Sequence, residues 1–339
     1  MSSVLDILCQ FFFIGRSNNM AQKLLKTATK LDIDGGHGDK WAVFDSDISS
    51  FIAKVIDFAV QNGDIVINET NIDATDIPDG ELSACLMYAD CSDGDRNGVN
   101  VVLAKSKDFD VDSDNLTLIS MFPKFFVNST ISAKVNLIEL FPNTLEARLW
   151  LQTDFLPFSV CAFDTDFCAN RGKYEALDSY EFHLFAMAFS IASTEGDSFT
   201  IDDEYGIRKH RATRAWVEKY GLFDTNSDLE AALLSWRPQT KEDLEPIVFD
   251  LSRLSMLMPH DEYADESSYS GEILSVVEPE YTYIFDCNFW HIVIRVSNVG
   301  NSQELEIPLF VSELTMQGYT PKVGDFIKGR AWLGCYLKQ

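Results

Sequence analysis

Ser270-Gly271-Glu272-Ile273-Leu274-Ser275-Val276-Val277, followed by the alternating runs 291–296, 304–311 and Gly324-Asp325-Phe326-Ile327-Lys328-Gly329-Arg330-Ala331-Trp332-Leu333, is the stretch that decides how this chain folds. Apolar and polar residues alternate along each run, the period of a half-buried strand, and turn-forming residues separate the runs. The same order occurs earlier. Ser132-Ala133-Lys134-Val135-Asn136-Leu137-Ile138-Glu139 leads to alternating runs at 145–151, 157–163 and 178–186. Identities between the two stretches are few, but the element order and the turn positions agree, so we expect a β module present twice.

Working outward, residues 202–237 between the copies read as helical, with runs at 205–220 and 228–236 separated by Gly221-Leu222-Phe223-Asp224 and ended by Pro238. An apolar stretch at 247–258 leads into the acidic linker His260-Asp261-Glu262-Tyr263-Ala264-Asp265-Glu266. In the N-terminal part, apolar spacing predicts helices over 18–31 and from Ser46 to Asn62-Gly63, with Ser46 as the N-cap. Short strand-like runs follow at 64–68, 83–88, 99–104 and 116–122. The expected fold class is α+β. An acidic α+β domain (1–128) precedes a first β module (129–200), a helical insert with an acidic linker (201–266) and a second β module (267–339).

The second copy has a curved first strand opening on Gly271, a meander, a short excursion at 313–319 and a returning strand introduced by Lys322-Val323-Gly324-Asp325. This resembles an oligonucleotide/oligosaccharide-binding (OB) barrel, over about 70 residues here, more weakly in the first copy and not at all in the N-terminal part. Each copy shows four strand runs where that fold has five. The resemblance is to a fold and implies a binding face, not a reaction.

Composition narrows the function. Lys and Arg number 27 against 53 Asp and Glu, a net charge of −26, which argues against nucleic acid as a general partner. Residues 32–117 alone carry 19 acidic and 5 basic side chains, or −14. Seven cysteines, several inside apolar runs, read as buried free thiols in a reducing compartment, so a cytoplasmic location is expected. The apolar window 5–15 is interrupted by Asp6 and Gln10 and lacks a preceding basic residue, so it does not read as a signal peptide. No run is long enough for a membrane-spanning helix.

Motifs for chemistry are sparse. Asp93-Gly94-Asp95-Arg96-Asn97-Gly98 matches the first half of a calcium loop, with Asp93, Asp95 and Asn97 as its candidate ligands, but Ala104 stands where the bidentate Glu belongs. The flanking runs favour a hairpin turn there instead. The five histidines are scattered, no Gly-x-Ser-x-Gly elbow occurs, and no cofactor is indicated. Two cationic sets remain. Residues 207–219 hold Arg208, Lys209, Arg211, Arg214 and Lys219 against Glu218, either a solvated helix or an anion-binding site. In the last run, alternation puts Phe326, Lys328, Arg330, Trp332 and Tyr336 on one face, which Arg295 and His291 could join. Cations among aromatic rings suit stacked bases or sugars, and aromatics packed beneath another part of the chain give the same pattern.

The expectation is a non-catalytic interaction protein whose acidic surface engages a basic protein partner, as a polyanion mimic would. The alternative is an OB-type module taking single-stranded nucleic acid or a saccharide on its C-terminal face. An enzyme with an unrecognised site is the third reading. The sequence leaves the oligomeric state open.

Overall fold

The computed structural model describes residues 29–30, 38–69, 85–93, 97–105, 116–141, 145–154, 156, 159–170, 172–175, 177–221, 226–260, 266–297 and 304–338. The fold is α+β and strand-rich. In chain order the strands are β1 (Thr29–Lys30), β2 (Asp64–Glu69), β3 (Cys85–Asp93), β4 (Asn97–Lys105), β5 (Leu116–Phe125), β6 (Ile131–Phe141), β7 (Glu146–Gln152) and β8 (Val160–Asp164). Then come β9 (Ser179–Ser193), β10 (Ser198–Ile201), β11 (Ile247–Asp250), β12 (Met256–Pro259), β13 (Glu266–Thr282), β14 (Cys287–Ser297), β15 (Glu304–Ser312) and β16 (Phe326–Leu337). Among the described residues the helices are α1 (Ile48–Asn62), α2 (Phe167–Asn170), α3 (Glu204–Tyr220), α4 (Asn226–Ser235) and α5 (Glu313–Met316).

The chain divides into two compact units, and the described part of the first is the insert Thr194–Leu254. There, the hairpin-like pair β10–β11 packs Ile201 and Phe249 against Ile207 of α3. Asp203 caps α3, its carboxylate accepting from the Gly206 N–H at 2.6 Å. The predicted pair of helices is present as α3 and α4.

The second unit holds the described residues from Thr29 to Ser193 and those from Ser255 onward. Its N-terminal elements are α1 and an antiparallel meander, β2-β3-β4-β5. The cap of α1 is Asp47, not Ser46: its carboxylate accepts from the Ser50 N–H at 3.2 Å and from the Ser50 hydroxyl at 2.8 Å. The helix predicted over 18–31 lies outside the described residues, except that Thr29 and Lys30 form β1.

The remaining strands form a ten-stranded sheet whose pairings close two circuits. The first runs β6-β7-β8-β16-β9 and back to β6; the second runs β13-β14-β15-β9-β16 and back to β13. Each copy supplies four strands, and its fifth place is filled by the last strand of the other copy. The two sharing contacts are both parallel, Phe163 beside Gly334 and Phe310 beside Met187, and the shared pair β9–β16 is antiparallel over its whole length. The short helices α2 and α5 follow β8 and β15 at matching places.

Burial on both faces holds this shared wall. Ala162, Leu184, Ala186, Leu309 and Leu333 enter one core together with residues from both circuits. Phe163, Phe185, Met187, Phe310 and Trp332 point the other way, into a second core built with Trp41, Phe44, Phe51, Val55, Val101 and Phe125 of the N-terminal elements. Phe125 and Phe310 stack at 3.9 Å between ring centroids. Gly334 lies directly under the Phe185 ring, where a Cβ would collide, which explains a glycine in mid-strand.

Candidate functional site

The β16 face expected to take bases or sugars is covered. Trp332 is 1% exposed and packs edge-on against Phe163 at 5.8 Å. Tyr336 is buried, stacks on His183 at 4.7 Å, and its hydroxyl accepts from the Val127 N–H at 3.2 Å. Alternation had correctly separated two faces of β16, but both are cores, because the aromatic N-terminal elements pack onto the second one. Of the cations, Lys328 is exposed. Arg330 is committed to the buried Glu266 at 3.1 Å, and Glu266 also binds the buried Lys40 at 2.5 Å. Both cations lie over Phe189, at 5.4 and 5.5 Å from its centroid. This group ties the segment Gly38–Val43 to the wall rather than presenting charge to a ligand.

The basic helix also spends much of its charge locally. Arg214 pairs with Glu218 at 3.0 Å, Arg211 donates to the Glu242 carbonyl at 3.4 Å, and Arg208, Lys209 and Arg211 are half-buried. The strands flanking the calcium-like loop pair antiparallel, Asp93 across from Asn97. The Asn97 side chain turns inward and donates to the Thr282 hydroxyl at 3.3 Å, which removes it as an outward ligand; Asp95 lies outside the described residues.

One polar group went unread in the sequence: Asp164-Thr165-Asp166 at the end of β8. Asp164 is fully buried and accepts from Tyr174 at 2.5 Å, from the Asp166 N–H at 2.9 Å and from Asn170 at 3.3 Å. Burial, with Asp166 adding to it, pushes its carboxyl up to about 7. Asp166 in turn takes the Lys124 ammonium at 3.3 Å and a hydrogen bond from Asn100. Every member points at another member, and this cluster anchors α2 to the first circuit. The cavity between Asn97, Glu280, Phe289, His291 and Phe310 measures ≈ 10 Å³, room for about one water, and offers no place for a substrate.

Most of the acidic residues expected at 32–117 lie outside the described residues; among those described, the second circuit has an acidic margin open to solvent. Pairing aligns Glu272, Arg295 and Glu306 in one row across β13, β14 and β15. Arg295 bridges Glu272 at 3.4 Å and Glu304 at 3.1 Å, so this predicted cation sits as a minority charge among carboxylates. Glu278, Glu280, Asp286, Glu304, Glu306 and Glu313 are all exposed. At the β13–β14 turn, Tyr281 and Tyr283 are exposed as well. The Glu-Pro-Glu-Tyr-Thr-Tyr run at 278–283 was the available sequence signal for this tip. Set against known protein families, characterised proteins and solved structures, the chain matches none.

Proposed function

We propose that this protein is a non-catalytic interaction module: two OB-type barrels, each completed by a strand of the other, whose acidic second barrel engages a basic protein partner. The barrel reading is supported by the circuit order, by the parallel contact between third and fifth strands, and by a short helix after each third strand. The partner reading rests on one observation above the rest. The carboxylates of Glu278, Glu280, Glu304, Glu306 and Glu313 stand exposed along the second circuit, while Trp332 and Tyr336, two of the rings expected to stack bases or sugars, are buried. A field of that sign speeds encounter with a cationic surface and repels phosphate backbones.

The test is a titration of the full chain with a lysine/arginine peptide, raising salt from about 50 to about 300 mM. Affinity is expected to fall at least about tenfold over that range. Changing Glu278, Glu280, Glu304 and Glu306 together to Gln should weaken binding well beyond the effect of the same change at Asp202→Asn, Glu204→Gln, Glu218→Gln and Glu230→Gln of the insert. Equal effects from the two sets would reduce the interaction to net charge and defeat the reading, as would retention of single-stranded oligonucleotide in place of the peptide.

A further inference from the structure

We infer that the tip of the β13–β14 hairpin, Tyr281 and Tyr283 with the carboxylate of Asp286, is the anchor that receives an arginine side chain of the basic partner. The inference rests on the basic-partner reading and adds to it a place and a residue type.

Four residues make the turn after Thr282, and they divide sharply. Ile284 and Phe285 are buried, Phe285 at 1% exposure among Trp41, Phe44, Phe51, Phe125 and Phe289. Tyr283 is 74% exposed and Tyr281 49%. The turn is therefore fixed from below by its apolar residues while it displays two aromatic rings to solvent. Those rings stand perpendicular, 5.2 Å apart, and the Tyr281 hydroxyl donates to Asp286 at 2.5 Å. Asp286 itself is held at a positive φ of 52°, which directs the backbone round the corner and keeps its carboxylate beside the rings. Rigid, displayed tyrosines lose little conformational freedom on binding, the property that makes them frequent anchors at protein interfaces.

The surrounding charge selects the ligand. Asp45, Asp286 and Glu313 lie close enough to the Cys287 thiol to add to the burial that pushes it up to about 12. Asn288, which pairs across the strands with Tyr281, donates to Glu313 at 2.8 Å. The cation found at the tip among the described residues is Lys54, whose ammonium stands 3.6 Å from Asp286, with both side chains largely exposed. A guanidinium fits this arrangement better than an ammonium. Its flat face stacks on a tyrosine ring while its forked donors meet a carboxylate, whereas an ammonium stays strongly hydrated. An arriving arginine would compete with Lys54 for Asp286.

Calorimetric titration of the full chain at fixed salt, with an alternating Arg-Ser peptide and its Lys-Ser counterpart, tests this. The arginine peptide should bind at least about fivefold tighter. Tyr283→Ala should weaken it about tenfold and erase the preference, Tyr283→Phe should keep both, and Lys54→Ala should tighten binding about two- to threefold. That gain is a result that misfolding does not imitate. If Tyr283→Ala and Lys54→Ala bind as the unmodified protein does while the four-Gln variant loses binding, the anchor is wrong and the basic-partner reading stands. If the four-Gln variant also binds normally, both fall. Equal affinity for the two peptides overturns the choice of arginine.

Discussion

The two circuits share a frame and differ in what they show the solvent. On the outward side of the first, Arg148 and the Trp150 indole both donate to Glu139, at 2.6 and 2.7 Å, and Asn136, Ser159 and Gln152 form a hydrogen-bonded chain. The Glu139 carboxylate is cancelled in place there. On the second, Arg295 is shared by Glu272 and Glu304, and the carboxylates beyond it stay open. The interior differs too. Phe163 and Phe310 occupy corresponding contacts, but the next residue is the buried acid Asp164 in the first circuit and the buried Val311 in the second. Strand order and sharing thus fix the frame, and side chains both on its outer side and beside the common wall distinguish the two halves.

Four expected outcomes sharpen or break that comparison. The largest concerns the wall. Trp332→Ala should cost about 3–5 kcal/mol, because it empties a fully buried aromatic site, and should lower one transition common to both circuits. Leu149→Ala in the first circuit and Ile307→Ala in the second should act on that same transition in calorimetry. Two separate melts would mean that the circuits do not depend on each other. Next, Lys40→Met removes one partner of a buried ion pair and should cost about 3 kcal/mol in chemical denaturation. A cost below about 1 kcal/mol would show that Arg330 alone suffices for Glu266.

The third outcome separates the circuits by pH. Folded, Asp164 keeps its proton up to about 7; unfolded, it releases it near 3.8. Between those values the folded state binds more protons, so this group's contribution to stability is present at low pH and lost as pH rises toward 7. A fall of about 2 kcal/mol between about pH 5.5 and about pH 7.5 is expected, and Asp164→Asn should remove that slope. Since the second circuit has Val311 at the matching place, a slope that persists in Asp164→Asn would assign the titration elsewhere. The smallest effect lies in the insert: Arg214→Ala breaks an exposed i,i+4 pair and should change stability by about 0.5 kcal/mol or less, read from the thermal midpoint.

Much of the frame was legible in the residues. Alternation located β6, β7, β9 and β13 to β16, apolar spacing found α1, and the helix-like text between the two β stretches found α3 and α4. Closure was not legible, because the fifth strand of each circuit lies in the other copy and no local pattern marks a strand as lent. The fate of Trp332 was hidden for a related reason. Period-2 alternation tells which side chains share a face, not whether Phe125, Phe44 and Trp41 of a distant segment cover it. Asp164 and Asp166 passed unnoticed because carboxylates are abundant in this chain and burial, the property that sets these two apart, has no local signature. The exposed tip at Tyr281 and Tyr283 did leave a trace, two aromatics following a Glu-Pro-Glu run.

The most direct test of the claim that the second circuit's margin is the recognition surface is amide hydrogen exchange of the full chain, with and without an arginine-rich peptide. The account predicts added protection confined to the end of β13 from Glu278 onward, the turn at 282–287, β14 and β15, with β6 and β7 unchanged. Protection centred on β6 and β7, or on α3 of the insert, would contradict it.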